Sequence, residues 1–479
     1  LQADCVQSRQ AGFMQCFHSS ATDCIKGEVN DMKKQPHRYM RKTAAGMVAL
    51  SMLCAAAIPC VLAMPAGAAS ASGDLNGDGS VTAADAAILQ TALLGSSKLT
   101  AQQYANADVT GDGAVNGLDL SRLRQMTATV PVSDAIAIHL SDSGITVEGD
   151  TKGVTAVSGK TVTISASGNY TVDGAITEGQ ILVNVADPTA DPDAVSLYLQ
   201  GVTMTSSTGA PCILGQSAGK LKLTCSGINT LTDTAAAVNA DTSGVIYGDC
   251  DVTVTKNSTG TLNITSSMNT AIRSKDDIKL NGGDISINTD VDATSDADAI
   301  RANNTLEIDG ASVTVTSSAD GLKSSKEDVS ILSGKVGIKA GNDAVQAATA
   351  LNISGGTVTA SGDRGFTLEN GVLAITGGDV LATATDYAFG MDSAGTAVTV
   401  DTSGCTQGVV QLDYAAEWKK SNAVTLKKGS STVFEMTPNK KYTYVLASSG
   451  SLSGSDSYTL YTGGTQMTHD GSDNGTFAM

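Results

Sequence analysis

Ala271-Ile272-Arg273, Ala299-Ile300-Arg301, Gly321-Leu322-Lys323, Ala344-Val345-Gln346, Gly365-Phe366-Thr367 and Ala388-Phe389-Gly390 are one phrase repeated along the chain: a small residue, a large apolar one, then an outward-facing one. Their apolar members are separated by 300 − 272 = 28, 322 − 300 = 22, 345 − 322 = 23, 366 − 345 = 21 and 389 − 366 = 23 residues. Recurrence at a near-fixed period of this size marks a repeat architecture.

Each period carries two more segments that alternate apolar and polar residues, as strands do. One is Ile278-Lys279-Leu280 and its later counterparts at 306–308, 329–331, 351–353 and 373–375. The other follows a glycine, as in Gly283-Asp284-Ile285-Ser286-Ile287 and after Gly310, Gly334, Gly356 and Gly378. Three short strands cannot bury their inner faces alone. Stacked at roughly 4.8 Å per rung, they enclose a continuous core. The fold expected is mainly β: a parallel β-helix, right-handed as parallel crossovers are, ending in a small antiparallel β cap. A β-propeller fits less well, because its blades need roughly 40 residues and four strands each.

Composition agrees with thin rungs. Aromatic residues make up 4% of the 479 residues while glycine contributes 51, and β-branched side chains carry the alternation. Thirty Lys and Arg against 48 Asp and Glu leave a net charge of −18, which argues against non-specific nucleic-acid binding. An acidic surface can still hold polyanions where calcium intervenes.

Residues 1–31 start with Leu1 and read as upstream read-through before Met32. Lys33, Lys34, Arg38, Arg41 and Lys42, the apolar run from Ala44 to Met64 and the small residues Ala66 to Ala71 make 32–71 a signal peptide; an uncleaved anchor is the alternative. Beyond it the cysteines are Cys212, Cys225, Cys250 and Cys405, without metal-ligand spacing. Cys225 and Cys250, 25 residues apart, could stack on neighbouring rungs; small core thiols are the simpler reading.

Two loops carry the strongest chemical signal. Calcium is held by about seven oxygens, supplied in a twelve-residue loop from positions 1, 3, 5, 7, 9 and 12 with glycine at 6. Asp74, Asn76, Asp78, Thr82 and Asp85, with the Ser80 carbonyl, fit the first loop. Asp108, Thr110, Asp112, Asn116 and Asp119, with the Ala114 carbonyl, fit the second, where the Thr110 hydroxyl predicts a weaker site. Each loop runs into an apolar-periodic helix, Ala84 to Leu94 and Leu118 to Met126. The pair resembles the dockerin domain over residues 73–127, a small α-helical, EF-hand-like module. That resemblance implies calcium-dependent docking to a cohesin on a scaffoldin. It also implies that Ala83, Ala84, Gly117 and Leu118 set the choice of cohesin; the two pairs differ, so one binding orientation is expected.

After a linker at 128–135, the β-helix is expected over 136–395 and the cap over 396–479, from strands such as Val424-Thr425-Leu426 and Tyr458-Thr459-Leu460. Two ladders flank the recurring apolar residue. Asp298, Asp320 and Asp343 stack into a carboxylate column that invites calcium. Arg273, Arg301 and Lys323 stack beside it as a basic column suited to sugar carboxylates. The alternative is corner chemistry and a solvated face, with Asp290, Asp292 and Asp296 as further acids nearby. Trp418 is the only tryptophan, so a flat platform for crystalline cellulose would need tyrosines such as Tyr170, Tyr198, Tyr247 or Tyr387.

From Thr161 onward the segment order resembles the β-helical carbohydrate-binding domain found beside dockerins: Gly168-Asn169-Tyr170, Gly227 to Asp233, the Asp-Ala-Ile rungs, then the cap. That family shares the pectate-lyase-like β-helix, holds calcium, and binds acidic pectin and cellulose. The resemblance implies a secreted, monomeric, extracellular cellulosomal protein that binds plant cell-wall polysaccharide. The rival expectation is a calcium-dependent pectate lyase with Arg301, Arg273 or Lys323 as base, and a third is an inert spacer.

Overall fold

The computed structural model describes residues 73–77, 81, 83–111, 113–127, 134–290, 297–368, 371–389, 402–453, 456–467 and 477–478. The expected leader, together with Asp78, Ser80, Thr82, Asp112, Asp292 and Asp296, lies outside them.

The repeated phrase is a ladder of parallel strands. Ile272 stands beside Ile300, Ile300 beside Leu322, Leu322 beside Val345, Val345 beside Phe366, and Phe366 beside Phe389. It continues backward through Ile246 and Ile213 to Ile181. A second face stacks Leu221, Val252, Ile278, Leu306, Val329, Leu351 and Leu373. A third stacks Leu262, Ile285, Val313, Val336, Val358 and Val380. Every second residue of each strand points inward, and the three faces close around one apolar core running the length of a solenoid of about eight turns.

Two details depart from the sequence reading. Leu306–Ser317 and Val329–Ala340 are each one strand spanning two faces, with the register shifting near Asp309 where the chain bends. The bend uses the corner glycines: Gly310 and Gly334 sit at φ +100° and +101°, a backbone that side chains resist. Cys225 and Cys250 do not stack. In that rung Leu221 stands beside Val252, an offset of 252 − 221 = 31, so a spacing of 25 leaves the thiols out of step. Both are buried free thiols with pKa pushed up by burial, Cys225 to about 12 and Cys250 to about 11.

The last parallel rung is Asp379–Phe389. Tyr442–Ser448 lies antiparallel on it and pairs in turn with Val409–Trp418. A small antiparallel sheet of Ser431–Met436, Val424–Lys428, Thr459–Thr462 and Thr465–Gln466 completes the cap around Leu426, Phe434 and Tyr442.

Ahead of the solenoid are α1 (Ala83–Leu93), α2 (Ala101–Ala107) and α3 (Gly117–Thr127). Leu75, Leu89, Ala107 and Leu123 form their core. The sequence reading had no helix at α2. Its start is a capping box, in which Thr100 Oγ1 accepts from Gln103 N–H and the Gln103 side chain accepts from Thr100 N–H. Among the described residues no helix is long and apolar enough to cross a membrane.

Candidate functional site

The two calcium-type loops fold around buried carboxylates. Asp74 and Asp85 are 1% and 0% exposed, and Asp119 is 0% exposed. Asp85 Oδ1 accepts the N–H groups of Leu75 at 2.8 Å and Asn76 at 2.9 Å, drawing the end of the loop back onto its start. In the second loop Asp119 accepts from Thr110 N–H at 3.2 Å, the Thr110 hydroxyl at 2.8 Å and Asn116 N–H at 2.8 Å. Burial raises the Asp119 pKa, yet the hydrogen bonds from Asn116 and Thr110 outweigh it and hold the group below its ordinary value. Gly113, at loop position 6, has φ +83°. Hard oxygens, a deprotonated buried carboxylate and a left-handed glycine suit calcium, which Asp74, Asn76, Asp85, Asp108, Thr110, Asn116, Asp119 and the Ala114 carbonyl would hold among the described residues. At the helix entrances Ala84 and Gly117 are exposed, and Leu118 shows 66% of its surface to solvent.

In the solenoid the carboxylate column forms, and side-chain cations stand against it. Asp298, Asp320 and Asp343 are only 7%, 2% and 1% exposed, so they are not a solvated face. Asp298 Oδ1 accepts the backbone N–H of Asp320, and Asp320 Oδ1 accepts that of Asp343, at 3.2 and 3.1 Å. The column is thus a hydrogen-bonded ladder from rung to rung. Cations close the charge account: Lys323 Nζ is 2.6 Å from Asp320, Arg301 is 3.5 Å from Asp298, and Arg364, next in the column, forms a two-pronged pair with Asp343. The residues expected to hold calcium thus already have cationic side-chain partners within the solenoid. Burial, then repulsion from Asp320, pushes the Asp298 pKa up to about 6.

The basic column also forms, since Arg273 stands beside Arg301 and Arg301 beside Lys323, but its members are unequal. Lys323 and Arg301 each have an aspartate three residues upstream. Arg273 has Thr270 there and, among the described residues, no carboxylate within ion-pair range; its guanidinium bonds the Ser243 hydroxyl. Arg273, Ser274, Lys275, Arg301 and Asn303 line an open groove of about 260 Å³. The buried Tyr247 ring lies beneath it, 5.8 Å from the Arg273 guanidinium and 5.6 Å from the Lys275 ammonium. Lys275 is 2.7 Å from Asp249, which together with the Tyr247 hydroxyl raises its pKa.

Lys275, Asn303 and Tyr247 were missed as members of one site. Val245-Ile246-Tyr247 is an earlier copy of the organising phrase, 26 residues before Ile272, disguised because Val245 is not small. With Tyr247 fully buried, that ring is a support and not a sugar platform.

The family model described as carbohydrate-binding domain-containing protein matches residues 158–475, and the dockerin type I domain model matches residues 72–126. A carbohydrate-binding domain-containing protein of Acetivibrio thermocellus is 32% identical over 139 residues, which is 28% of this chain and 46% of the relative. The match thus spans about half the length of that curated relative. A solved structure titled as the polysaccharide lyase-like protein from C. thermocellum, gadolinium derivative, covers 54% of this chain and 98% of its own at 21% identity and a TM-score of 0.35.

Proposed function

Because the chain belongs to the carbohydrate-binding domain-containing family and carries a dockerin type I domain, we propose that this cellulosomal, extracellular protein holds acidic plant cell-wall polysaccharide in the groove at Arg273, Lys275 and Arg301. Its dockerin docks to a scaffoldin cohesin, with calcium in the two loops and Leu118 on the docking face. The carrying observation is Arg273, a guanidinium at the mouth of a basic groove, with no carboxylate partner among the described residues in a chain of net charge −18. A guanidinium pairs with a carboxylate through two parallel hydrogen bonds, and Arg301 offers a second cation one strand spacing away, roughly 4.8 Å. Pectin is favoured over cellulose because the groove is cationic and has no exposed aromatic platform among its lining residues.

Binding without cleavage is the reading. A lyase base must be populated in its free form, and a guanidinium does not lose its proton in proteins. Lys275 is held above its ordinary pKa by Asp249, which leaves even less of it in the free, proton-accepting form at neutral pH. Affinity electrophoresis of the full chain in polygalacturonate, with and without chelator, tests the proposal. Retardation that survives chelation while cohesin binding is lost is expected, and migration unchanged by polygalacturonate would overturn it.

A further inference from the structure

We propose a second glycan subsite on the third face of the solenoid, centred on the half-buried backbone of Gly337, that takes a uronic-acid unit. It rests on the carbohydrate-binding reading but not on the Arg273 groove, which lies on the first face.

Gly337 sits in the middle of strand Val329–Ala340, between Thr314 on one rung and Thr359 on the next. Glycine weakens a strand interior, so its presence there asks for a cause: a left-handed backbone, or a neighbour that a Cβ would strike. Gly337 has neither, since its φ is not left-handed and an added Cβ would meet nothing within 4 Å. Gly341 and Gly362 show the contrast, because a Cβ at either would come within 1.8 and 2.3 Å of a backbone oxygen. Gly337 thus stands inside a strand with neither reason. The remaining cause is close approach from outside, by something that lies against the backbone.

The surroundings match a sugar ring. Gly337, Thr314, Thr316, Lys335, Lys339, Thr357, Thr359 and Asn439 line a groove of about 350 Å³, at the small end of the ~300–1,000 Å³ typical of ligand sites. Its wall is pinned: Asn439 N–H donates to Ser361 Oγ at 2.9 Å, and Asn439 Nδ2 donates to the Ile338 carbonyl at 3.1 Å. Lys440 Nζ then anchors the same cap segment to the Ala340 carbonyl at 2.7 Å and to Asp363 at 2.9 Å. Threonine hydroxyls on the floor can donate to or accept from ring hydroxyls. Lys339 is held by Asp290 at 3.2 Å, whereas exposed Lys335 has no carboxylate within ion-pair range among the described residues. A ring with hydroxyls and one carboxylate would lie on Gly337 with its acid toward Lys335.

The test is titration calorimetry of tetragalacturonate into the full chain. A chain with Arg273→Ala should retain binding at the Gly337 groove. Adding Gly337→Val, which fills that groove with a strand-favouring side chain, should weaken the remaining binding at least about tenfold. Adding Lys335→Ala instead should do the same, and because Lys335 is exposed this variant decides the matter if the valine disturbs folding. Residual binding unchanged by both substitutions, or no residual binding in Arg273→Ala, overturns the second subsite and leaves the carbohydrate reading standing. No binding to the unsubstituted chain overturns both.

Discussion

Lys323 Nζ lies 2.6 Å from the carboxylate of Asp320, three residues earlier in the same rung, and that pairing ranks the basic column. One rung back the same spacing joins Arg301 to Asp298 more loosely, at 3.5 Å. Two rungs back the acid is replaced by Thr270, and among the described residues Arg273 has no carboxylate within ion-pair range.

Arg273→Ala should therefore weaken polygalacturonate binding by about tenfold with little change in melting temperature. Lys323→Ala should do the reverse. It leaves the Asp320 carboxylate buried without its cation, at a cost of about 3 kcal/mol, with affinity nearly unchanged. Calorimetric melts and titrations of both variants measure the two effects; equal loss of affinity in both would refute the ranking.

The pH dependence of the solenoid should carry a mark of Asp298. Its pKa rises from the ordinary 3.8 to about 6 in the folded chain. Between those values the folded state binds a proton that the unfolded state does not, so this group's penalty is complete above about pH 6 and fades as the pH falls. Asp298→Asn should stabilise the chain at pH 7 by up to about 3 kcal/mol, with the gain gone below about pH 4. Denaturant melts of both forms across that range check it, and a pH-independent difference would count against it.

Cohesin binding should require calcium, because ligand carboxylates that bind the metal also close the loops. Titration against a panel of cohesins should lose all heat in chelator and in Asp74→Ala with Asp119→Ala. Binding that persists in chelator would show that the loops dock without metal.

Prolonged incubation with polygalacturonate should produce no ultraviolet absorbance from unsaturated ends. Steady growth that disappears in Arg301→Ala would make the groove an active site.

The solenoid was legible in the sequence because its signal is local: Ile272, Ile300, Leu322, Val345 and Phe366 recur at a period that survives small insertions, and each is fully buried. The charged columns were legible as columns for the same reason. Their meaning was not. Whether Asp343 meets a metal or Arg364 depends on the next rung, 21 residues on, and on how far a side chain reaches across it. The groove at Arg273 was half legible, since Lys275 and Asn303 join it through a corner with no repeat of its own. Helix α2 was missed because seven residues, Ala101–Ala107, are too few for a periodic pattern, although Thr100 and Gln103 mark its start.

The antiparallel strand Tyr442–Ser448, laid along Asp379–Phe389, has a consequence for how the molecule behaves in company. A stack of parallel rungs has no inherent last member; each exposes N–H and C=O groups that a further strand can join. By running the opposite way and carrying the cap across that edge, Tyr442–Ser448 withholds the template from any second copy. A chain cut short before it would present a sticky end to its neighbours, and its natural product would be a filament rather than a shorter monomer.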